Sequence, residues 1–558
     1  MVLRLLRFVP IIDVLYLVLN VQMAQTDFAS HVANRGRNAA GDRRTRWETR
    51  FPLRRRCLAS AGQRPVVDRA RPTRRWFATE KRAVNTRRPP HRVGQCTRIP
   101  GPRVQPTKPD DRSLMSRLCF CVLIATIMFS LDAPSSAQEW PRFRGPDGTG
   151  ITATPDDPLL PNVWSRTENV AWRTEIPGVG WGSPVVWGRT VFITAVVSDG
   201  NVETPIGGLY RGGERPAPND AHHWMAYAVD LDTGRIRWET EVYSGVPAQS
   251  RHLKNSYASE TPVTDGERLY VYFGNVGVFC LDFDGRELWS VEWPPLRTRN
   301  GWGTGASPVL HNERLYVVND NEEQSFIAAL SAETGAEVWR SNRDEGTNWS
   351  TPFVWENDLR TEIVTTGTDR VRSYDLAGGL LWELGGLSSI TVPMPFSRFG
   401  LLYLEAGYTG DRQRPVYAIR PGATGDISLE PGETTNAHIA WHLAQGGTYN
   451  TSPLVYGDLY YTLMDRGFMT AHDARTGEQV YGRRRIAVGT GFTASPWAYN
   501  GKIFAMSEEG ETYVIRAGKE FEVLHTNHLE EFTLATPAIV SSSLLIRTRS
   551  ALYRIAER

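Results

Sequence analysis

From about residue 180 onward the chain repeats one pattern of apolar and polar positions. A Ser/Thr-Pro step opens each unit: Ser183-Pro184, Thr261-Pro262, Ser307-Pro308, Thr351-Pro352, Ser452-Pro453, Ser495-Pro496 and Thr536-Pro537, with Val392-Pro393 as a degenerate member. The prolines are 78, 46, 44, 41, 60, 43 and 41 residues apart, which defines a unit of about 43 residues and two units lengthened by insertions. After each proline comes a short apolar stretch, then a turn such as Asp265-Gly266, Asn312-Glu313 or Asn500-Gly501. Runs such as 268–273, 314–318 and 502–506 have the apolar, β-branched and aromatic make-up of strands. A third strand ends in apolar-x-apolar-Asp, as in Tyr227-Ala-Val-Asp230. A tight turn and a fourth strand with Trp then follow.

The turn and the Trp keep a fixed spacing. Gly234 precedes Trp238, Gly285 precedes Trp289, Gly335 precedes Trp339 and Gly378 precedes Trp382, each by four residues; Gly477 and Tyr481 repeat the spacing with Tyr. Gly supplies the positive φ that a tight turn demands. The Trp side chains are expected to dock between adjacent sheets, each burying about 200 Å2, at most about 5 kcal/mol of apolar burial. Short strands at even spacing with a periodic Gly/aromatic signal predict an all-β fold, an eight-bladed β-propeller of four-stranded blades. The last unit, from Pro537, lacks a Trp strand, and a spare one precedes the first unit around Trp172. Pairing that N-terminal segment (168–178) with the C-terminal blade is expected to close the ring and remove open sheet edges.

The motif Ala228-Val-Asp230-Leu-Asp-Thr233-Gly234-Arg-Ile-Arg-Trp238, with variants around Asp282–Trp289 and Leu330–Trp339, resembles the quinoprotein-like (PQQ-like) repeat family of β-propellers. The resemblance covers about residues 139–558. It implies an eight-bladed ring with Trp172, Trp238, Trp289, Trp339 and Trp382 as docks between blades. It leaves function open, because function lives in sites rather than folds. One branch of such proteins is PQQ-dependent dehydrogenases, which implies PQQ and Ca2+ as cofactors. The other is non-enzymatic propellers, similar to the periplasmic scaffold that helps assemble outer-membrane proteins. Dehydrogenases of this kind often carry adjacent paired cysteines or a haem-attachment Cys-x-x-Cys-His. Neither occurs here.

Charge divides the chain. Residues 1–114 hold 25 Lys+Arg against 8 Asp+Glu; residues 115–558 hold 38 against 53. The main body is therefore acidic, which excludes a basic nucleic-acid binder. The first 114 residues show no period and include Arg43-Arg44, Arg54-Arg55-Arg56, Arg74-Arg75 and Arg87-Arg88. They read as a disordered basic arm, or as sequence upstream of a true start at Met115. Residues 115–137 have the layout of a secretory signal: Arg117, an apolar core over 118–131, and Ser135-Ser136-Ala137 as the cleavage site. Cleavage near Ala137 predicts an exported protein, periplasmic or extracellular, with no transmembrane segment in the mature chain. Only Cys280 then remains. It lies in an apolar stretch and reads as a small buried hydrophobe.

The Ser/Thr-Pro step should start the innermost strand, so the residues before it should line the channel mouth. The candidates there are Trp181, Asn255, Tyr257, Trp302, Thr304, Trp349, Tyr449 and Phe492, a ring of aromatics and polar groups able to stack a flat ligand or grip a peptide. The same groups also suit simple filling of a crowded hub. Arg251, His252, Lys254 and Glu260 complete the densest polar run, suited to a ligand or to a salt-bridged blade connection. Residues 198–223 form the largest insertion, with Gly207-Gly208 and Gly212-Gly213 but no phosphate-binding spacing. His222, His223 and His252 lack regular metal-ligand spacing, and Asp282-x-Asp284-Gly285 reads as a turn, so no metal site is expected. No catalytic residues can be named from the sequence. The leading reading is a non-catalytic binding or scaffold propeller, expected as a monomer, with a protein or glycan partner on its channel face. The alternative is a PQQ/Ca2+-dependent alcohol or sugar dehydrogenase.

Overall fold

The computed structural model describes residues 139–213 and 215–557. The basic arm and the signal-like segment 115–137 lie outside the described residues. Almost every regular element is a strand, and the strands form eight antiparallel sheets in a ring, an eight-bladed β-propeller.

Blade one shows the plan. Its strands, from the hub outward, are Val185–Trp187, Thr190–Ser198, His222–Asp230 and Ile236–Gly245. Blade two repeats it with Val263–Thr264, Arg268–Phe273, Gly277–Asp282 and Glu287–Glu292. The innermost strands are short because the hub is narrow, and each starts directly after a proline; in blade five that proline is Pro395, with Met394 before it, and not Pro393 of the degenerate Val392-Pro393 step. In blade eight, Ala538–Val540, Ser543–Arg547 and Ala551–Ala556 are joined by Val170–Glu175 as the outermost strand, with Glu175 opposite Ala551 and Val170 opposite Ile555.

The third-strand Asp holds the turn that follows. Asp230 Oδ1 accepts the Thr233 amide and hydroxyl, both at 2.9 Å. The bonded Arg237 guanidinium and the Thr233 amide hold its carboxyl down at about 2. Asp473 accepts from Thr476 in the same way. Beyond the turn each Trp reaches the next blade. Trp172, Trp238, Trp289, Trp339 and Trp441 pack on Gly234, Gly285, Gly335, Gly378 and Gly477, all of positive φ. Their indole N–H groups donate to the carbonyls of Leu231, Phe283, Ala332, Leu376 and Ala474 at 2.8–3.1 Å.

Opposite each aromatic, on the third strand, sits a small residue beside a register shift. The pairs are Ala228–Trp238, Cys280–Trp289, Ala329–Trp339, Ser373–Trp382, Ala418–Trp441 and Ala471–Tyr481. Cys280 is thus the small member of a repeated pair, and burial pushes its thiol up to about 12.

Trp382 is placed differently from the other Trp docks. It is fully buried, and its indole N–H donates at 2.6 Å to Glu362 of its own blade. The insertion in blade five supplies Gly425–Asp426, which pairs in parallel with Trp382 and Glu383. That short strand covers the edge where a neighbouring turn would otherwise sit.

Candidate functional site

The Ser/Thr-Pro steps meet at the hub. The Ser183 amide donates to Thr261 Oγ1, the Thr261 amide to Ser307 Oγ, and the Ser307 amide to Thr351 Oγ1, at 2.9–3.0 Å. The series resumes from the Met394 amide to Ser452 Oγ, the Ser452 amide to Ser495 Oγ and the Ser495 amide to Thr536 Oγ1, at 2.9–3.0 Å. Each bond crosses one blade boundary. The following proline carries no N–H, so this amide is the last donor before the strand.

These hydroxyls surround a cavity of about 250 Å3. Trp181, His252, Lys254, Asn255, Trp302, Thr304, Trp349 and Tyr449 also line it, together with Ser183 and Val392. Four other sequence candidates do not. Phe492 is buried in an apolar cluster with Leu463 and Met469. Arg251 donates to the Asn255 carbonyl at 2.6 Å and lies 5.4 Å above the Tyr257 ring. Tyr257 itself has a φ of +60° and donates its hydroxyl to the Gln249 carbonyl at 2.6 Å. Glu260 is buried, and its Oε1 accepts the Gly274 amide at 3.1 Å. Burial pushes its carboxyl up to about 7.

The insertion, described over 199–213 and 215–221, reaches the cavity. Gly208, Leu209 and Tyr210 belong to its lining. The Gly208 amide donates to Glu508 Oε2 at 2.7 Å, and Lys254 Nζ donates to the Gly208 carbonyl at 3.1 Å and to Glu508 Oε1 at 2.6 Å. Thr493 donates to the same Oε1 at 2.6 Å. Farther along, Trp302 Nε1 donates to the Arg211 carbonyl at 3.1 Å. The His252 ring lies tilted against Tyr210 with centroids 5.0 Å apart, and its Nε2 is 3.2 Å from the Tyr210 carbonyl. Burial and the nearby cations Lys254, Arg215 and Arg251 push His252 down to about 4, so it is neutral at neutral pH. His222 and His223 stay in the blade-one sheet; His223 lies against Glu241 and Asp199 at 2.7 and 3.2 Å.

The opposite side is bounded by residues 139–152. Trp140 exchanges two backbone bonds with Val186, Arg144 Nη2 donates to the Pro453 carbonyl at 2.7 Å, and Ile151 bridges Ala498. Phe143 lines the hub cavity, whereas Arg142 and Thr149 line a larger one of about 1060 Å3 beyond it. This segment is the partition between them. Sequence reasoning missed Phe143, Gly208 and Glu508. The Trp-Pro-Arg-Phe-Arg-Gly run at 140–145 was the available signal for the first, and nothing local marks Glu508 as the partner of Lys254.

A family model described as outer membrane protein assembly factor BamB matches residues 223–384 and 275–546, more than half of the chain. The chain belongs to the PQQ-like β-propeller family. No curated protein matches it significantly. Among solved structures, BamB from Moraxella catarrhalis is 13% identical with a TM-score of 0.45, covering 69% of this chain and 98% of its own. A europium-containing methanol dehydrogenase is 10% identical with a TM-score of 0.47, covering 74% and 90%. The quinohemoprotein alcohol dehydrogenase from Comamonas testosteroni is 12% identical with a TM-score of 0.36, covering 77% and 82%. Among the described residues no helix is long and apolar enough to cross a membrane.

A quinone held at the hub would need its counter-charge there. PQQ carries three carboxylates, and a buried anion requires compensating charge. The cation lining the cavity, Lys254, is already paired with Glu508. Among the described residues no group of three or more His, Cys, Asp or Glu side chains is placed to hold a metal ion.

Proposed function

We propose that this protein is an exported, non-catalytic PQQ-like propeller that acts as a binding or scaffold module through its channel face. The observation that carries this reading is the Lys254–Glu508–Gly208 cluster, in which the hub's cation and its facing carboxylate hold the insertion in place. Charge that a quinone cofactor would need is spent on the protein's own architecture. Export rests on the signal-like segment 115–137, and the partner meets the channel face at the insertion.

The full-length chain is titrated with PQQ and Ca2+ while bound-quinone absorbance, melting temperature and dye-linked oxidation of alcohols and sugars are followed. No saturable binding and no dye reduction are expected. Micromolar binding with dye reduction overturns the reading in favour of a dehydrogenase. N-terminal sequencing of protein from the exported fraction is expected to begin at Gln138.

A further inference from the structure

We propose that the hub cavity binds one neutral, ring-sized polyhydroxylated ligand, a monosaccharide or cyclic polyol, beneath the insertion. This deepens the non-catalytic reading above and rests on it.

The first argument is the hydrogen-bonding state of the hub hydroxyls. Thr261, Ser307, Thr351, Ser452, Ser495 and Thr536 each accept one amide N–H from the preceding blade. A hydroxyl has one donor and two lone pairs. Each therefore keeps a proton and a lone pair, and among the described residues none of the six donates to a protein group. All six line the cavity. A ring of groups that both donate and accept matches the hydroxyls of a polyol, which do the same.

The second argument is independent of the blade contacts. Trp181 Nε1 and Ser183 Oγ also line the cavity, are buried, and have no hydrogen-bond partner at all. A buried polar atom without a partner is costly, and Trp140, Trp164, Trp224 and Trp497 carry such indole N–H groups away from the cavity as well; the two at the hub are the ones a ligand there would reach. They sit at the junction of blades eight and one, where the amide-to-hydroxyl series has no member.

Charge and size narrow the class. Lys254 is neutralised by Glu508 at 2.6 Å, and His252 is neutral at neutral pH. The wall therefore offers no unpaired charge to an ionic ligand, and a buried ion without one is strongly disfavoured. About 250 Å3 lies just below the range of drug-sized pockets, room for one ring and not for an oligomer. Trp302 and Trp349, 6.0 Å apart, and Tyr449 give apolar faces for the C–H side of such a ring. Gly208 to Tyr210 complete the lining, so the insertion borders the bound ligand.

The test uses the full-length chain and calorimetric titration with glucose, galactose, mannose, xylose and myo-inositol, with glucuronate as the charged comparator. Saturable binding of at least one neutral compound is expected, with weaker or no binding of glucuronate. Ser183→Ala removes a hydroxyl that no protein group uses, so it should leave the melting temperature unchanged and weaken that ligand about tenfold. Hydrogen exchange over residues 199–221 should slow when the ligand is bound. Absence of saturable binding for every neutral compound overturns the proposal, as does binding that Ser183→Ala leaves unaltered. A protein that binds neither sugar nor PQQ loses this site and keeps the non-catalytic reading. A sugar that binds and is oxidised once PQQ and Ca2+ are added keeps the site and overturns that reading.

Discussion

The backbone amide of Ser183 donates to the hydroxyl of Thr261 at 2.9 Å, across the boundary between blades one and two. The same bond recurs around the hub. It explains why Ser or Thr stands before the proline: the side chain is the acceptor that a neighbouring blade requires. Thr261→Val keeps the shape and deletes the acceptor, leaving the Ser183 amide buried and unpaired. A loss of about 1–3 kcal/mol is expected by denaturant unfolding. Ser183→Ala, at a hydroxyl without a partner, is expected to stay within about 0.5 kcal/mol of wild type. Equal losses from the two variants would refute a specific blade-to-blade role.

A Cβ on Gly285 would fall 2.7 Å from the Trp238 ring, whereas one on Gly457 would meet nothing within 4 Å. Both glycines have positive φ, +83° and +60°. Gly457→Ala therefore reports backbone strain alone, about 1–2 kcal/mol. Gly285→Ala adds displacement of the docked indole and should cost about 1–3 kcal/mol more. Matching melting temperatures for the two variants would show that the Trp dock is soft.

Fold was legible because the repeat writes the same physical demand eight times. The Ser/Thr-Pro step marks nearly every unit, Gly with Trp or Tyr four residues later marks five of them, and the long spacing from Pro393 to Pro453 announced an insertion. What it did not announce was the destination. Trp382 has the spacing of the other Trp residues, yet its indole N–H turns to Glu362, because the insertion in blade five supplies an edge strand instead of a close turn. Trp441, the blade-five dock onto Gly477, lies beyond that insertion and off the four-residue spacing, so the pattern passes over it. The hub was legible by the same logic for Trp181, Trp302, Trp349 and Tyr449, which precede an innermost strand. Arg251 and Tyr257 belong to the same polar run but turn toward each other. Lys254 and Glu508 are 254 residues apart, and only closure of the ring brings them together.

Glu508 holds the insertion by its two oxygens, one toward the Gly208 amide and one toward Lys254 and Thr493. Glu508→Gln keeps the size of the side chain and removes its charge. Amide exchange over residues 199–221 is expected to quicken about tenfold or more, the equivalent of about 1.4 kcal/mol, while the blade strands keep their protection. Unchanged exchange in that segment, measured by mass spectrometry, would mean that Trp302 and His252 hold it unaided.

The carboxyl of Glu405 gives a pH dependence whose sign is fixed. Burial pushes it up to about 7 against an ordinary value of 4.5, with Thr448 and Tyr460 donating to it and Asp465 nearby. Between those values the folded chain keeps a proton that the unfolded chain has released. Stability contributed by the protonated form is therefore complete below about pH 4.5, falls as pH rises to about 7, and is flat above that. The decline from this group is of order 1–3 kcal/mol. Glu260, also raised to about 7, and Asp465, raised to about 6, act in the same direction. Glu405→Gln presents a neutral group of the same shape at every pH and removes one proton from the linkage. Urea unfolding at pH 4.5, 5.5, 6.5 and 7.5 should show a shallower decline for this variant than for wild type, with the two curves most alike at the acid end. Parallel curves would mean that Glu405 ionises in the fold as readily as in the unfolded chain, and that the Arg144 guanidinium beside it compensates its burial.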